Sequence, residues 1–208
     1  MRTPAAAEAD QWKGGRPMSR SRLTPEREAE LFEAVLELVC EVGYDSLTMD
    51  AVAARTRSSK ATLYRQWHSK PELVATALQH GAGPGANQVD TGSLRGDFRA
   101  MLAQTNAKEM EKDSALLRAL VHAVHTNPDL YDALRTKVIA PEEAALRTVI
   151  DRAVERGEIS ASNPAREFVP HMLFGLFFAV QMIEDRIPTV DFMTRYVDAV
   201  VLPALEAR

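Results

Sequence analysis

Between residues 59 and 67 the chain reads Ser-Lys-Ala-Thr-Leu-Tyr-Arg-Gln-Trp. Leu63 and Trp67 stand four apart, so on a helix they share a face and would pack inward. The opposite face then carries Ala61, Thr62 and Arg65, with Lys60 and Tyr64 at its flank. An arginine can pair with guanine, a tyrosine can bond phosphate, and small or hydroxyl residues allow close approach to a groove. The surrounding stretch 51–71 holds Arg55, Arg57, Lys60, Arg65 and Lys70 without one acidic residue. A local cationic surface of this kind suits a polyanion bound at one place.

Nothing comparable points to catalysis. The chain has no glycine-rich phosphate loop, no nucleophile elbow and no zinc-protease signature, and no set of nucleophile, base and orienter is visible. An enzyme is therefore not expected. His122 and His125 lie three apart on one helix face, but no cysteine or nearby carboxylate completes a ligand set, so neither metal nor cofactor is expected. Cys40 is the single cysteine, which rules out an intrachain disulfide and fits a cytoplasmic location; it is read as a small buried apolar residue.

The elements that must hold the 59–67 segment follow from caps and periodicity. The first helix starts at Thr24-Pro25, a good N-cap followed by the residue favoured at the first helical position. Its stripe is Leu31, Val35, Leu38 and Val42, widened by Phe32 and Val39, and Gly43 ends it. Short helices follow from about Thr48 to Arg55 and from about Ser59 to Trp67. Another opens at Ser69, whose spacing from Glu72 is that of a capping box. Three short helices in tandem with tight turns match a helix-turn-helix, whose second helix lies in the major groove.

Further along, Gly81, Gly83, Pro84, Gly85 and Gly92 make a breaker-rich linker. The expected organisation is a disordered tail over 1–22, a helix-turn-helix domain over 23–80, a linker over 81–92 and a helical domain over 93–208. Met18 offers an alternative start to Met1. Arg16, Arg20 and Arg22 could follow phosphates or simply be solvated. The helical domain is read as 93–112, 114–126, 127–155 kinked or divided by Pro141, 163–185, and a last helix opened by Pro188-Thr189 and ending near Pro203. No sustained period-two alternation occurs, so no sheet is expected; the class is all-α with about nine helices. The 208 residues are 46% apolar and 26% charged, ordinary for a soluble globular protein. No apolar run approaches the roughly 20 residues that span a bilayer, and no membrane partner is expected. The net charge of −4 comes from the C-terminal part, since the first 80 residues balance acids and bases.

Glu41-x-Gly43-Tyr44-Asp45, Thr48-Met49-Asp50-Ala51-Val52-Ala53, Ser59-Lys60-Ala61-Thr62-Leu63-Tyr64-Arg65 and Ser69-Lys70-Pro71-Glu72-Leu73 together resemble the TetR family of bacterial transcriptional regulators. The match covers roughly Thr24 to Leu78. It implies that Lys60, Ala61 and Arg65 face bases, and that Thr48, Thr62, Tyr64 and Lys70 hold phosphates. Thr48 and Ser69 would also cap helices; Tyr64 could instead pack in the core, and Ala61 could be only a spacer. Ser59 and Arg57 complete the implied DNA-binding set. The family usually has Gly-Val where this chain has Arg57-Ser58; either the turn takes another shape, or Arg57 offsets the strain of a left-handed conformation with a phosphate contact.

The resemblance further implies a homodimer on a palindromic double-stranded operator, with a small-molecule effector in the C-terminal part. The very apolar 164–185 segment suits a four-helix bundle with a partner copy, through Phe168, Met172, Gly175 and Ala179 together with Tyr196 and Val200. Met101, Met110, Leu117, Val121, His125, Phe174, Phe177 and Met182 are candidates to line a pocket for a largely apolar effector. The leading expectation is a repressor released by ligand. The alternative is a DNA-binding architectural or protein-regulated factor with no small-molecule input.

Overall fold

A computed structural model describes residues 24–82 and 85–206. The expected tail over 1–22, the Gly83-Pro84 part of the linker and the last two residues lie outside the described residues. Among the described residues every regular element is helical, in nine consecutive helices.

Helix α1 (Pro25–Ser46) begins as its cap requires, with Thr24 Oγ1 accepting from the Arg27 amide. Gly43 takes φ +77° and breaks the helix, so Leu47 and Met49 turn inward. The buried stripe is Leu31, Phe32, Val35, Leu36, Leu38 and Val39. Two expectations fail here. Val42 and Cys40 are both exposed, because the α1 stripe narrows over its last turns. Helices α2 (Met49–Thr56), α3 (Lys60–Trp67) and α4 (Lys70–Gly81) are capped by the hydroxyls of Thr48, Ser59 and Ser69. The capping box at Ser69 is half formed. The serine accepts from the Glu72 amide, but its own N–H goes to the Trp67 carbonyl.

After a helical turn at Ala86–Gln88, the chain continues as α5 (Leu94–Ala103) and α6 (Ala107–Thr126). The break falls at 104–106, earlier than expected, because Asn106 and Glu109 form a full capping box there. Helix α7 spans 128–155 and contains a π-turn, Arg135–Ile139. Pro141 lacks an amide hydrogen and crowds the preceding turn; widening that turn lets the helix run on instead of dividing. Helix α9, over 190–206, repeats the device, with a π-turn at Val197–Val201 ahead of Pro203, which therefore does not end the helix. Between them, α8 (Pro164–Glu184) opens with a tight turn and ends at Asp185, which takes φ +48°.

The buried residues form three clusters. The largest joins α1–α4 to α6 and α7 through Leu116, Leu120, Ala123, Leu130 and Leu134. The second packs α5, α7, α8 and α9 around Phe98, Val149, Val169, Val201 and Leu205. A small third cluster is Met110, Leu176, Val180 and Met193. The backbone thus leaves the N-terminal helices at 81–92, but the apolar packing continues across that point.

Candidate nucleic-acid interface

Helix α3 is seated by two anchors. Leu63 is fully buried and Trp67 is 4% exposed, its ring edge-on to Phe32 at 5.5 Å between centroids. Burying each contributes on the order of 1.5–3 kcal/mol, which is what fixes a two-turn helix too short to persist alone. The other side shows Ala61, Tyr64 and Arg65 to solvent. Tyr64 is 42% exposed, so its phenol is not a core group. Thr62 is half-buried; its hydroxyl pairs with that of Ser59 at 2.8 Å.

The turn before α3 keeps the left-handed shape despite lacking glycine. Arg57 takes φ 51°, ψ 37°, and the Ser58 amide bonds the Ala53 carbonyl at 3.0 Å in the usual helix-ending pattern. Arginine in this conformation costs on the order of 1 kcal/mol. The Thr56 carbonyl beside it accepts from the Arg27 guanidinium at 2.5 Å, tying the turn to α1. Among the described residues the guanidinium groups of Arg57 and Arg65 make no hydrogen bond or ion pair, so both are available.

The other cations of the basic stretch are engaged. Arg55 is turned back onto α1, bonding Glu41 at 2.6 and 3.2 Å with Glu37 at 3.6 Å. That hydrogen bond holds the Glu41 carboxyl below its ordinary range. Lys60 Nζ is 2.9 Å from Asp50 Oδ2. Lys70 Nζ donates to the carbonyls of Tyr44 and Leu47, both at 3.0 Å, and lies 4.2 Å over the Tyr44 ring. Burial pushes the Lys70 ammonium down and the Tyr44 phenol up to about 12. Lys70 thus spends two of its three N–H bonds on the α1–α2 connection and keeps one. Thr48, at the α2 N-terminus, has its hydroxyl on the Ala51 amide at 3.1 Å. Sequence reasoning missed Asp50 and the Glu37–Glu41–Arg55 set, since their meeting depends on how α1, α2 and α3 cross.

The expected effector residues are not gathered around one cavity. Met110 is buried in the third cluster with Phe177 packed against it, while Met101 packs on the second cluster. Leu117 is half-buried, and Val121 and His125 are exposed along α6. Imidazole Nδ1 of His125 is 2.7 Å from the carbonyl of Val121 on its own helix. Phe174 is 44% and Met182 84% exposed, which in one protomer is at odds with a pocket lining. Residue type and helical spacing reveal an apolar face but not which way it turns. Open hollows lie elsewhere: one of about 550 Å³ between α7 and the start of α8, lined partly by Arg147, Asp151 and Arg166, and one of about 630 Å³ near Gly157 and Ala204. His122 and His125 gain no third ligand; the described residues contain no metal-binding group of three or more His, Cys, Asp or Glu.

Helix α8 carries the residues expected at an interface. Phe168, Gly175 and Ala179 are exposed, as is Val200 on α9, while Met172 and Tyr196 are half-buried against the second cluster. A side-chain carbon at Gly175 would meet nothing within 4 Å. Contrary to the sequence reading, Pro164–Glu184 is long and apolar enough to cross a membrane by length and composition, with only 17% of its most apolar window buried.

An outward-facing short helix on two buried anchors, beside two unengaged guanidinium groups, is the arrangement of a helix-turn-helix DNA-binding protein. Residues 31–77 match the model of bacterial regulatory proteins of the tetR family, and residues 88–200 match that of the tetracyclin repressor-like C-terminal domain. An uncharacterized HTH-type transcriptional regulator of Mycobacterium tuberculosis is 39% identical over 190 residues, covering 91% of this chain and 93% of that one. A DNA-binding transcriptional repressor of Mycobacteroides abscessus is 35% identical over 133 residues, covering 64% and 70%. A solved TetR family transcription regulator superposes with TM-score 0.62 at 30% identity, covering 86% of this chain and 98% of that one. The chain belongs to the TetR family and is a DNA-binding transcriptional regulator.

Proposed function

We propose that the protein is a cytoplasmic homodimeric repressor that binds a palindromic operator through α3 and is released by a largely apolar small molecule. The observation that carries the DNA-binding half is the exposed edge of α3, where Ala61, Tyr64 and Arg65 project from a helix that Leu63 and Trp67 fix in place. Arg65, Lys60 and Ala61 face base edges; Thr48, Ser59, Thr62, Tyr64, Arg57 and the remaining N–H of Lys70 meet phosphates. The dimer is supported by the apolar outer face of α8, unfinished in a single protomer. Two copies of α3 would then read half-sites about one DNA turn apart. Repression is supported by the resemblance to the Mycobacteroides abscessus repressor.

A ligand acts by binding better to the conformation that fits DNA less well. The α6 and α7 side chains in the N-terminal cluster give a physical route for that preference. A second reading, regulation without a small molecule, is favoured by one observation: the expected lining residues divide between packed clusters and the outer surface.

Selection of bound duplexes from random DNA tests the proposal, followed by thermal melting against a broad compound library. Expected are one palindromic consensus, lost in Arg65→Ala, and compounds that both raise the melting temperature and release the DNA. Stabilisation by no compound would favour the second reading. Binding by Arg65→Ala equal to the parent would overturn the assignment of α3.

A further inference from the structure

The N-terminal turns of α2 and α3 come together where α3 begins. Asp50 lies in the first turn of α2 and Lys60 opens α3, and their side chains pair at 2.9 Å while remaining 72% and 51% exposed. This pair differs from the other charged contacts nearby. Arg55 bonds carboxylates on α1, and Lys70 is occupied by two carbonyls. The guanidinium groups of Arg57 and Arg65 have no partner among the described residues. Lys60, the first residue of the helix proposed to read DNA, is therefore held by an exposed acid of the neighbouring helix. The hydrogen bond that the Lys60 ammonium donates to the Asp50 carboxylate raises the pKa of Lys60.

An exposed ion pair is weak and yields to a competing anion. A phosphate that takes Lys60 must, however, approach the Asp50 carboxylate to within a few ångströms, well inside the screening length of about 8 Å at physiological salt. Binding to arbitrary DNA draws almost wholly on phosphate contacts and bears this repulsion without compensation. Binding to the right sequence has base contacts to set against it. Specificity is a difference of affinities, and penalising the wrong partner raises it as surely as favouring the right one.

We propose that Asp50 is a specificity-determining residue, which holds Lys60 off indiscriminate phosphate contact and repels DNA that the reading helix has not seated. The inference rests on α3 being the helix that enters the groove. It sets an acid against a basic stretch, 51–71, that has none of its own.

The test uses the full-length chain with two duplexes, one selected by the parent from random DNA and one scrambled to the same composition. Affinities are measured by fluorescence anisotropy over a range of salt. Asp50→Asn is expected to tighten binding to the scrambled duplex about fivefold near physiological salt and to steepen its salt slope by about one, the signature of one more phosphate contact. Binding to the selected duplex changes less, so discrimination falls. In a Lys60→Gln background the same change leaves the salt slope unaltered. Asp50→Ser serves as a second variant, with melting curves to confirm that both fold. Unchanged discrimination in both variants, or the full gain without Lys60, overturns the proposal. Discrimination by the parent that survives Arg65→Ala would sink the reading of α3 itself, and this inference with it.

Discussion

Helices α3 and α8 turn opposite surfaces to their surroundings. Helix α3 hides Leu63 and Trp67 and shows hydrogen-bonding groups. Helix α8 buries Val169, Leu176 and Val180 but leaves Phe168, Phe174, Phe178, Met182 and Ile183 in solvent. A polar surface is complete in water and waits for a charged partner. An apolar face of this extent is incomplete until something covers it. The surface of α3 suits a partner held by electrostatic and hydrogen-bond complementarity, that of α8 one held by exclusion of water.

The sharpest way to break this contrast is to remove what seats α3. Trp67→Ala should cost about 3–5 kcal/mol in denaturant unfolding and abolish DNA binding, since large buried aromatics leave cavities that do not close. A loss below about 1 kcal/mol would mean that α3 is held by something else. On α8 the reverse is expected. Phe178→Glu should barely change protomer stability, because the ring is 41% exposed, yet weaken the proposed dimer about a hundredfold in sedimentation experiments. A dimer of parental strength would place the interface elsewhere.

A third test concerns acid. Burial alone would push the fully buried Asp97 carboxyl up, but bonds from Thr91 and the Arg156 guanidinium hold it below its ordinary range. Because its folded pKa is depressed, its stabilisation is present at neutral pH and lost as the pH falls through that folded value. Asp97→Asn should lower stability by about 2 kcal/mol at neutral pH and flatten the acid limb of the stability profile. Smaller still is Arg57→Gly, expected to raise stability by up to about 1 kcal/mol by relieving the left-handed turn. If Arg57 meets a phosphate, the same variant reduces the salt slope by about one. Smallest is Arg55→Gln, where loss of the exposed pair with Glu41 should lower the melting temperature only slightly at low salt and not at all at high salt.

The two regions also differ in how far the amino-acid sequence discloses them. The short helices announce themselves through local chemistry: Thr24, Thr48, Ser59 and Ser69 each accept from the amide three residues on. Pro141 and Pro203 were harder to read, because a π-turn lets a helix pass a proline that local rules say should interrupt it. Ten positions separate Asp50 from Lys60, and Arg55 reaches back fourteen to Glu41; such pairs depend on tertiary crossing, which no local pattern encodes. Cys40 and Met182 show the same limit on the apolar side. Each is apolar by type, yet each lies outward, and residue type alone does not say which side of its helix is covered.

The crossing of the apolar packing past 81–92 bears on engineering. Leu116, Leu120, Leu130 and Leu134 are walls of the same hydrophobic chamber as Val35, Val39 and Val74. A chimera that transplants only the first 82 residues onto a foreign sensor would strip that chamber of one side, and should be insoluble or molten. Exchange of DNA-binding heads between relatives should succeed only when the donor's sixth helix and the start of its seventh travel with the head, which makes the smallest portable unit considerably longer than the helix-turn-helix itself.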